Sequence, residues 1–317
     1  MHLPSLLATA LFAAVPGSCA PTHDYGCKTP LVRKEWRTLS TKDKHEYINA
    51  VKCLATKSSQ TGNIYAGAKS RYDDFQVSHI VNTDFIHYVG FFQAWHRMFI
   101  AQYEKDLRSL CCYSGAQPYW DTPVAGRTGG GCVTNGPFAE GEFEVHAGPD
   151  NSTAYNPRCL ARDISAEYGV SKLNQTMVDW TLGAKDFFEF DQRVQGGNGA
   201  ESQGYHGGGH LSIGGSLGEM GDMYSSPGDP IFWLHHTNVD RLWDKWQRLD
   251  WPARKSDIGG PDTQYAYPYD FFGDKEYKNI TLAYVMDFGN LLPERRYVTV
   301  EEAMDTQGER LFYTYDS

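Results

Sequence analysis

Beyond its N-terminus the chain has no run approaching the ~18 consecutive apolar residues that a membrane-spanning helix needs, so no membrane partner is expected. Positive charge is scarce: 29 Lys and Arg face 39 Asp and Glu, a formal net charge of −10. That balance argues against the phosphate backbone of a nucleic acid as a partner and reads as a solvated acidic surface. There is no internal repeat and no low-complexity tail. The 317 residues suffice for one large domain or two small ones. No carboxylate or thiolate is interleaved with the histidines at ligand spacing, which argues against sites of the Mg, Ca or mixed zinc-hydrolase kind.

Cysteine is sparse, seven in all, and its placement is informative. Leu3 to Val15 is an apolar run of signal-peptide length, and Ser18-Cys19-Ala20 is a small-residue cleavage site. A signal over residues 1–20 predicts a secreted, extracellular protein whose mature chain, 21–317, forms one domain. Removing Cys19 leaves Cys27, Cys53, Cys111, Cys112, Cys132 and Cys159, an even set suited to disulfides in an oxidising compartment. Sequence does not dictate pairing; we expect Cys27 and Cys53 to pair with Cys111 and Cys112, and Cys132 with Cys159. Sequons at Asn151, Asn174 and Asn279 fit N-glycans on such a protein.

Helical periodicity predicts helices over about 41–56, 72–82, 91–112, 184–195 and 229–249, with another beginning at Asp163 or Ser165. Residues 113–160 read as loop, and short strands are expected near 282–285 and 311–315. In the last long helix Asp229 and Pro230 read as N-cap and N1, and His235, Val239, Leu242, Trp243 and Trp246 form the inward stripe.

Six of the 11 histidines fall into two triplets: His79, His87 and His96, then His206, His210 and His235. An all-imidazole donor set suits Cu, Zn, Fe or Ni, and two sets suggest two metals. His206 and His210 are spaced i, i+4, but three glycines lie between them, which argues for a strained turn held by metal rather than a regular helix. His235 would complete that site from the inward stripe. His236 points roughly 100° away and, four residues before Asp240, is expected to hydrogen-bond it. Phe85, Phe91, Phe92, Trp95 and Phe99 are expected to form a dry aromatic shell around the first triplet. His146 is expected at the surface.

These residues resemble the tyrosinase, catechol oxidase and haemocyanin group of type 3 copper proteins. The resemblance rests on the first triplet with Trp95-His96-Arg97, on His206-x3-His210, and on the long stretch Asp229-Pro-Ile-Phe-Trp-Leu-His-His-Thr-Asn-Val-Asp-Arg-Leu-Trp243. It spans about residues 30–315 and is strongest toward short, secreted fungal polyphenol oxidases. It implies a mainly helical fold, an antiparallel four-helix bundle with long loops and a few short strands. It also implies two copper ions, one on His79, His87 and His96, the other on His206, His210 and His235, that bind O2 as a bridging peroxide. The implied reaction oxidises small phenolic substrates, o-diphenols, to o-quinones while O2 is reduced to water. By the same resemblance His236, Asn238 and Asp240 support the site, and Phe232 packs against a ligand ring.

Departures from the family pattern sharpen the expectation. Phe85 stands where many members carry a cysteine cross-linked to the second histidine, so no thioether is expected. Gly207 stands where hydroxylating members often carry Asn or Asp, and glycine offers no acceptor side chain; this favours diphenol oxidation over monophenol hydroxylation. Leu211 makes an apolar lip, and Met223 is the expected gate residue. Tyr313-Thr-Tyr315 resembles the motif ending the catalytic core, so no C-terminal lid domain is expected. Three other readings stay open: a full tyrosinase that also hydroxylates monophenols, a haemocyanin-like O2 carrier, and a dizinc hydrolase. Metal analysis and oxygen uptake discriminate them.

Overall fold

The computed structural model describes residues 29–121, 130–197, 202–269, 275–292 and 296–317. The expected signal, its cleavage site and Cys27 lie outside the described residues. Among the described residues the chain forms helices α1 (Thr41–Leu54), α2 (Arg71–Ile86), α3 (Phe92–Cys111), α4 (Ala166–Lys172), α5 (Gln175–Leu182), α6 (Phe187–Gln195), α7 (Tyr205–Gly214), α8 (Ile231–Leu249) and α9 (Trp251–Arg254). Eight short strands pair two by two: β1 (Leu31–Arg33) parallel with β8 (Tyr313–Tyr315), and antiparallel β2 (Gly131–Cys132) with β5 (Ala161–Arg162), β3 (Glu144–Val145) with β4 (Arg158–Cys159), and β6 (Val285–Asp287) with β7 (Tyr297–Thr299). The mainly helical expectation holds, with a bundle of α2, α3, α7 and α8 at the centre.

Local chemistry sets the helix starts. Ser70 and Asp73 form a reciprocal capping box at α2, with Ser70 Oγ accepting from the Asp73 amide and Asp73 Oδ2 accepting from the Ser70 amide at 2.8 Å. His146 is half-buried rather than at the surface, because its Nδ1 meets the same Asp73 oxygen at 2.9 Å. Ser40, Asn174 and Asp186 cap α1, α5 and α6 more simply, each side chain accepting from the backbone amide three residues on. The last long helix begins one residue later than expected, at Ile231: Asp229 Oδ1 accepts from the Ile231 amide at 3.0 Å, and its two oxygens also take both prongs of Arg162 at 2.7 Å.

Of two core clusters among the described residues, a small one gathers Ala68, Val77, Ile80 and Ala147, and the larger is rich in aromatic rings. Tyr103 stacks on Trp233 with centroids 3.7 Å apart, and Phe75, Phe99 and Trp95 extend it toward His79 and His96. At its far side Asp240 of α8 is the hub of a buried polar latch. Arg97 Nε of α3, Arg33 Nη1 of β1, and the hydroxyls of Tyr313 and Tyr315 in β8 all donate to it. Burial alone would raise the Asp240 carboxyl, but the Arg97 and Arg33 guanidiniums and the two hydroxyls outweigh it and hold it below the usual carboxylate range. The latch joins the residue after His96 to the helix that carries His235 and His236.

Disulfides join Cys53 to Cys111 and Cys132 to Cys159; Cys112 is also disulfide-bonded. The two bonds agree with the expected pairing. Asn151 is exposed in a turn, while Asn174 and Asn279 engage their side chains in backbone hydrogen bonds. No described helix is long and apolar enough to cross a membrane.

Candidate metal centre

Each histidine of the first triplet is aimed by a backbone carbonyl. His79, inside α2, has Nδ1 2.8 Å from the Tyr224 oxygen; His87, just past the end of α2, reaches Thr83 O at 2.9 Å; His96, in the first turns of α3, reaches Phe92 O at 3.0 Å. A carbonyl only accepts, so each Nδ1 carries the proton and each Nε2 keeps its lone pair. The ligand nitrogens of this triplet lie within 4.8 Å of one another, and those of His79 and His96 are buried with no hydrogen-bond partner. Buried lone pairs that converge without a donor are costly unless a cation takes them.

The second triplet is not the one expected. His206 and His210 on α7 converge with His236 of α8: His210 Nε2 lies 3.0 Å from both His206 Nε2 and His236 Nε2, and the last two are 3.3 Å apart. Nitrogens about 2 Å from a shared ion fall about 3–3.5 Å apart, so these distances suit three imidazoles gathered around one metal. His235 is turned the other way, with Nε2 2.8 Å from the backbone oxygen of His206. The expected assignment of His235 is corrected to His236. The expected bond from His236 to Asp240 is also absent among the described residues: Asp240 is engaged by two arginines and two tyrosines, and His236 Nδ1 is buried without a partner. The inward stripe misled because fifteen of the nineteen residues of α8 are buried, so both faces of the helix look into protein.

A second correction concerns α7. His206-Gly-Gly-Gly-His210 is regular helix, not a strained turn. The glycines are packing requirements. A Cβ on Gly209 would lie 2.0 Å from His235 Cε1, one on Gly208 2.2 Å from Lys172 Cβ, and one on Gly207 1.9 Å from Gln203 Oε1. His235, α4 and Gln203 press against the bare backbone from three directions.

The two triplets face each other. His96 stacks on His236 with centroids 4.7 Å apart, and His87 lies 5.9 Å from His206 at 24°. Phe232 lies between them, stacked on His236 at 4.0 Å and edge-on to His79 at 5.4 Å and His210 at 5.8 Å. Phe92 packs on His96 at 4.4 Å and His206 at 4.8 Å. Phe85, expected in this shell, is 68% exposed and stands outside it. Burial pushes all six imidazoles below the ordinary histidine range, His87 to about 4, and for most of them neighbouring imidazoles add to the effect. They are neutral at pH 7 and fit to hold transition-metal ions.

The supporting residues fall around this pair. Asn238 Nδ2 donates to the Tyr205 hydroxyl at 2.7 Å and its oxygen accepts from Arg241, tying α8 to the start of α7. Met223 is half-buried in the turn before Tyr224, whose carbonyl aims His79; Leu211 is half-buried beside His210. His206 and His210 are themselves only half-buried, while His79, His87, His96 and His236 are buried. Gln203 was not singled out from sequence. It exchanges hydrogen bonds with the hydroxyl of Tyr88, the residue after His87, and nothing in its sequence context marks it.

A family model described as the common central domain of tyrosinase matches residues 69–249. Tyrosinase P of Aspergillus terreus is 35% identical over 344 aligned positions, covering 91% of this chain and 93% of that protein. N-acetyl-6-hydroxytryptophan oxidase of Emericella nidulans is 33% identical and aligns over 100% of both chains. The solved structure of a glycine-to-asparagine mutant of polyphenol oxidase from Thermothelomyces thermophila is similar with a TM-score of 0.78 at 33% identity, covering 91% of this chain and 89% of that one.

Proposed function

The chain belongs to the tyrosinase family, and from that premise we propose that it is a secreted dicopper oxidase that converts o-diphenols to o-quinones and reduces O2 to water. The copper pair, when bound, supplies the activation of O2 and the redox step; His79, His87 and His96 would hold one ion and His206, His210 and His236 the other. The observation that carries the reading is the facing pair of neutral imidazole triplets in one aromatic box. Phe232 and Phe92 exclude water from the buried side. The half-buried His206 and His210 leave α7 as the approach for a phenol ring, with Leu211 as an apolar lip and Met223 as gate.

Gly207 supports diphenol over monophenol oxidation. It presents no acceptor that could hold a phenol proton, and the space for a side chain there is taken by Gln203. An o-diphenol gives up two electrons and two protons to become a quinone, so one O2 reduced to two waters consumes two diphenols. The test is oxygen uptake by the copper-loaded protein on catechol and a matched monophenol. Rapid uptake on catechol with little on the monophenol is expected. Comparable rates on both would support the second reading, a full tyrosinase, which the likeness to tyrosinase P favours. Reversible O2 binding with no uptake on either would leave only a carrier.

A further inference from the structure

His235 is the histidine that the second triplet leaves out, and its surroundings give it a different task. Its ring lies 5.9 Å from that of His206 at 13°, and its Nε2–H donates to the His206 carbonyl oxygen at 2.8 Å. Its Nδ1 is buried and meets no hydrogen-bond partner among the described residues. The ring is fully buried and flanked by Tyr205 at 6.5 Å and Trp120 at 6.2 Å. It is seated against Gly209 so closely that a Cβ there would lie within 2.4 Å of three of its atoms. The donor, the flat ring and the bare backbone beneath it fit one another across the contact between α8 and α7.

We propose that His235 is a positioning residue, a strut from α8 that fixes the backbone of His206 so that its Nε2 meets those of His210 and His236. This rests on the reading of that triplet as a copper site. The two adjacent histidines then divide the work: His236 supplies a ligand nitrogen, and His235 fixes the helix that supplies the other two. Removing a hydrogen-bond partner that orients a ligand typically weakens metal binding by about 10–100-fold.

The experiment compares His235→Gln, whose amide N–H reaches about as far from the backbone as Nε2, with His235→Phe, which keeps a ring and loses the donor. His235→Leu, which reaches less far from the backbone than the imidazole, repeats the second arm with no ring against Gly209. Copper per chain is measured in the full-length protein against a graded chelator, together with the electron paramagnetic resonance of the cupric form, because spin-coupled cupric pairs are silent and a lone Cu(II) is not. Glutamine is expected to retain both coppers. Phenylalanine and leucine are expected to bind one copper about 10–100-fold more weakly and to show a lone-copper signal, as is expected of His236→Gln. Wild-type affinity in both the phenylalanine and the leucine variants would overturn the strut. Equal loss in the glutamine variant would overturn it too, because the imidazole itself would then be required. A wild-type chain that never holds two coppers would overturn the dicopper reading, and the strut with it.

Discussion

Replacing each glycine between His206 and His210 by alanine should separate packing from helix propensity. In a helix interior the change gains about 1 kcal/mol from propensity alone. At Gly209 that gain is opposed by the His235 ring, 2.0 Å from the new carbon. The ring cannot retreat: its Nε2 is bound at 2.8 Å and Tyr205 and Trp120 stand beside it. Overpacking costs about 1–3 kcal/mol, and the broken hydrogen bond about 1 kcal/mol more. Gly209→Ala is therefore expected to lose about 1–3 kcal/mol net. At Gly208 the obstacle is Lys172 Cβ, the root of a side chain, so α4 must shift and the net loss is about 0–2 kcal/mol. At Gly207 it is the tip of half-buried Gln203, which can swing away from Tyr88 and Gly197; losing those two part-buried bonds, about 0.5 kcal/mol each, roughly cancels the gain. Denaturant unfolding of chelator-treated protein with disulfides intact reads these values by linear extrapolation. A Gly209→Ala variant as stable as wild type, or Gly207→Ala as the worst of the three, would refute the packing argument.

Asp240→Asn should lose about 3–5 kcal/mol by leaving Arg97 buried without its carboxylate, while Arg33 keeps Glu104; a loss under about 1 kcal/mol in the same unfolding assay would remove the latch from the account. Metal-free protein should weaken on acidification. Burial lowers His87 to about 4 in the folded state against about 6.5 unfolded. Its contribution is complete above about 6.5 and is lost as pH falls toward 4, about 3 kcal/mol in all. His235, also at about 4, adds a similar loss, and a flat profile between pH 7 and pH 5 would contradict both. Cys132→Ser opens a cross-link spanning 27 residues and should lower stability by about 3 kcal/mol; an unchanged melting temperature under oxidising conditions would show that the bond contributes little.

Much of the site was legible in the sequence because histidine is scarce and its spacing is restrictive. The first triplet and the His206–His210 pair stand where expected, and the long helices begin within a few residues of their capping signals. What could not be read was orientation. His235 and His236 differ by one residue on a helix buried on nearly every face, so the inward stripe that periodicity drew through His235 did not identify the face that meets the metal. Phe232, one turn before His236 and stacked on it at 4.0 Å, marks the correct face, but only once the other triplet is placed. The glycines misled for a related reason. Propensity counts their conformational entropy against a helix, whereas tertiary packing of His235, Lys172 and Gln203 needs their bare backbone. Phe85 reads as a core aromatic by type and lies exposed, since its two neighbouring turns, not its own hydrophobicity, decide its face.

The most direct measurement of the central claim is anomalous diffraction at the copper edge from crystals of the copper-loaded protein. Two peaks are predicted, one among His79, His87 and His96 and the other among His206, His210 and His236, each about 2 Å from its ligand nitrogens. A single peak, or a second one bonded to His235 in place of His236, would contradict the account.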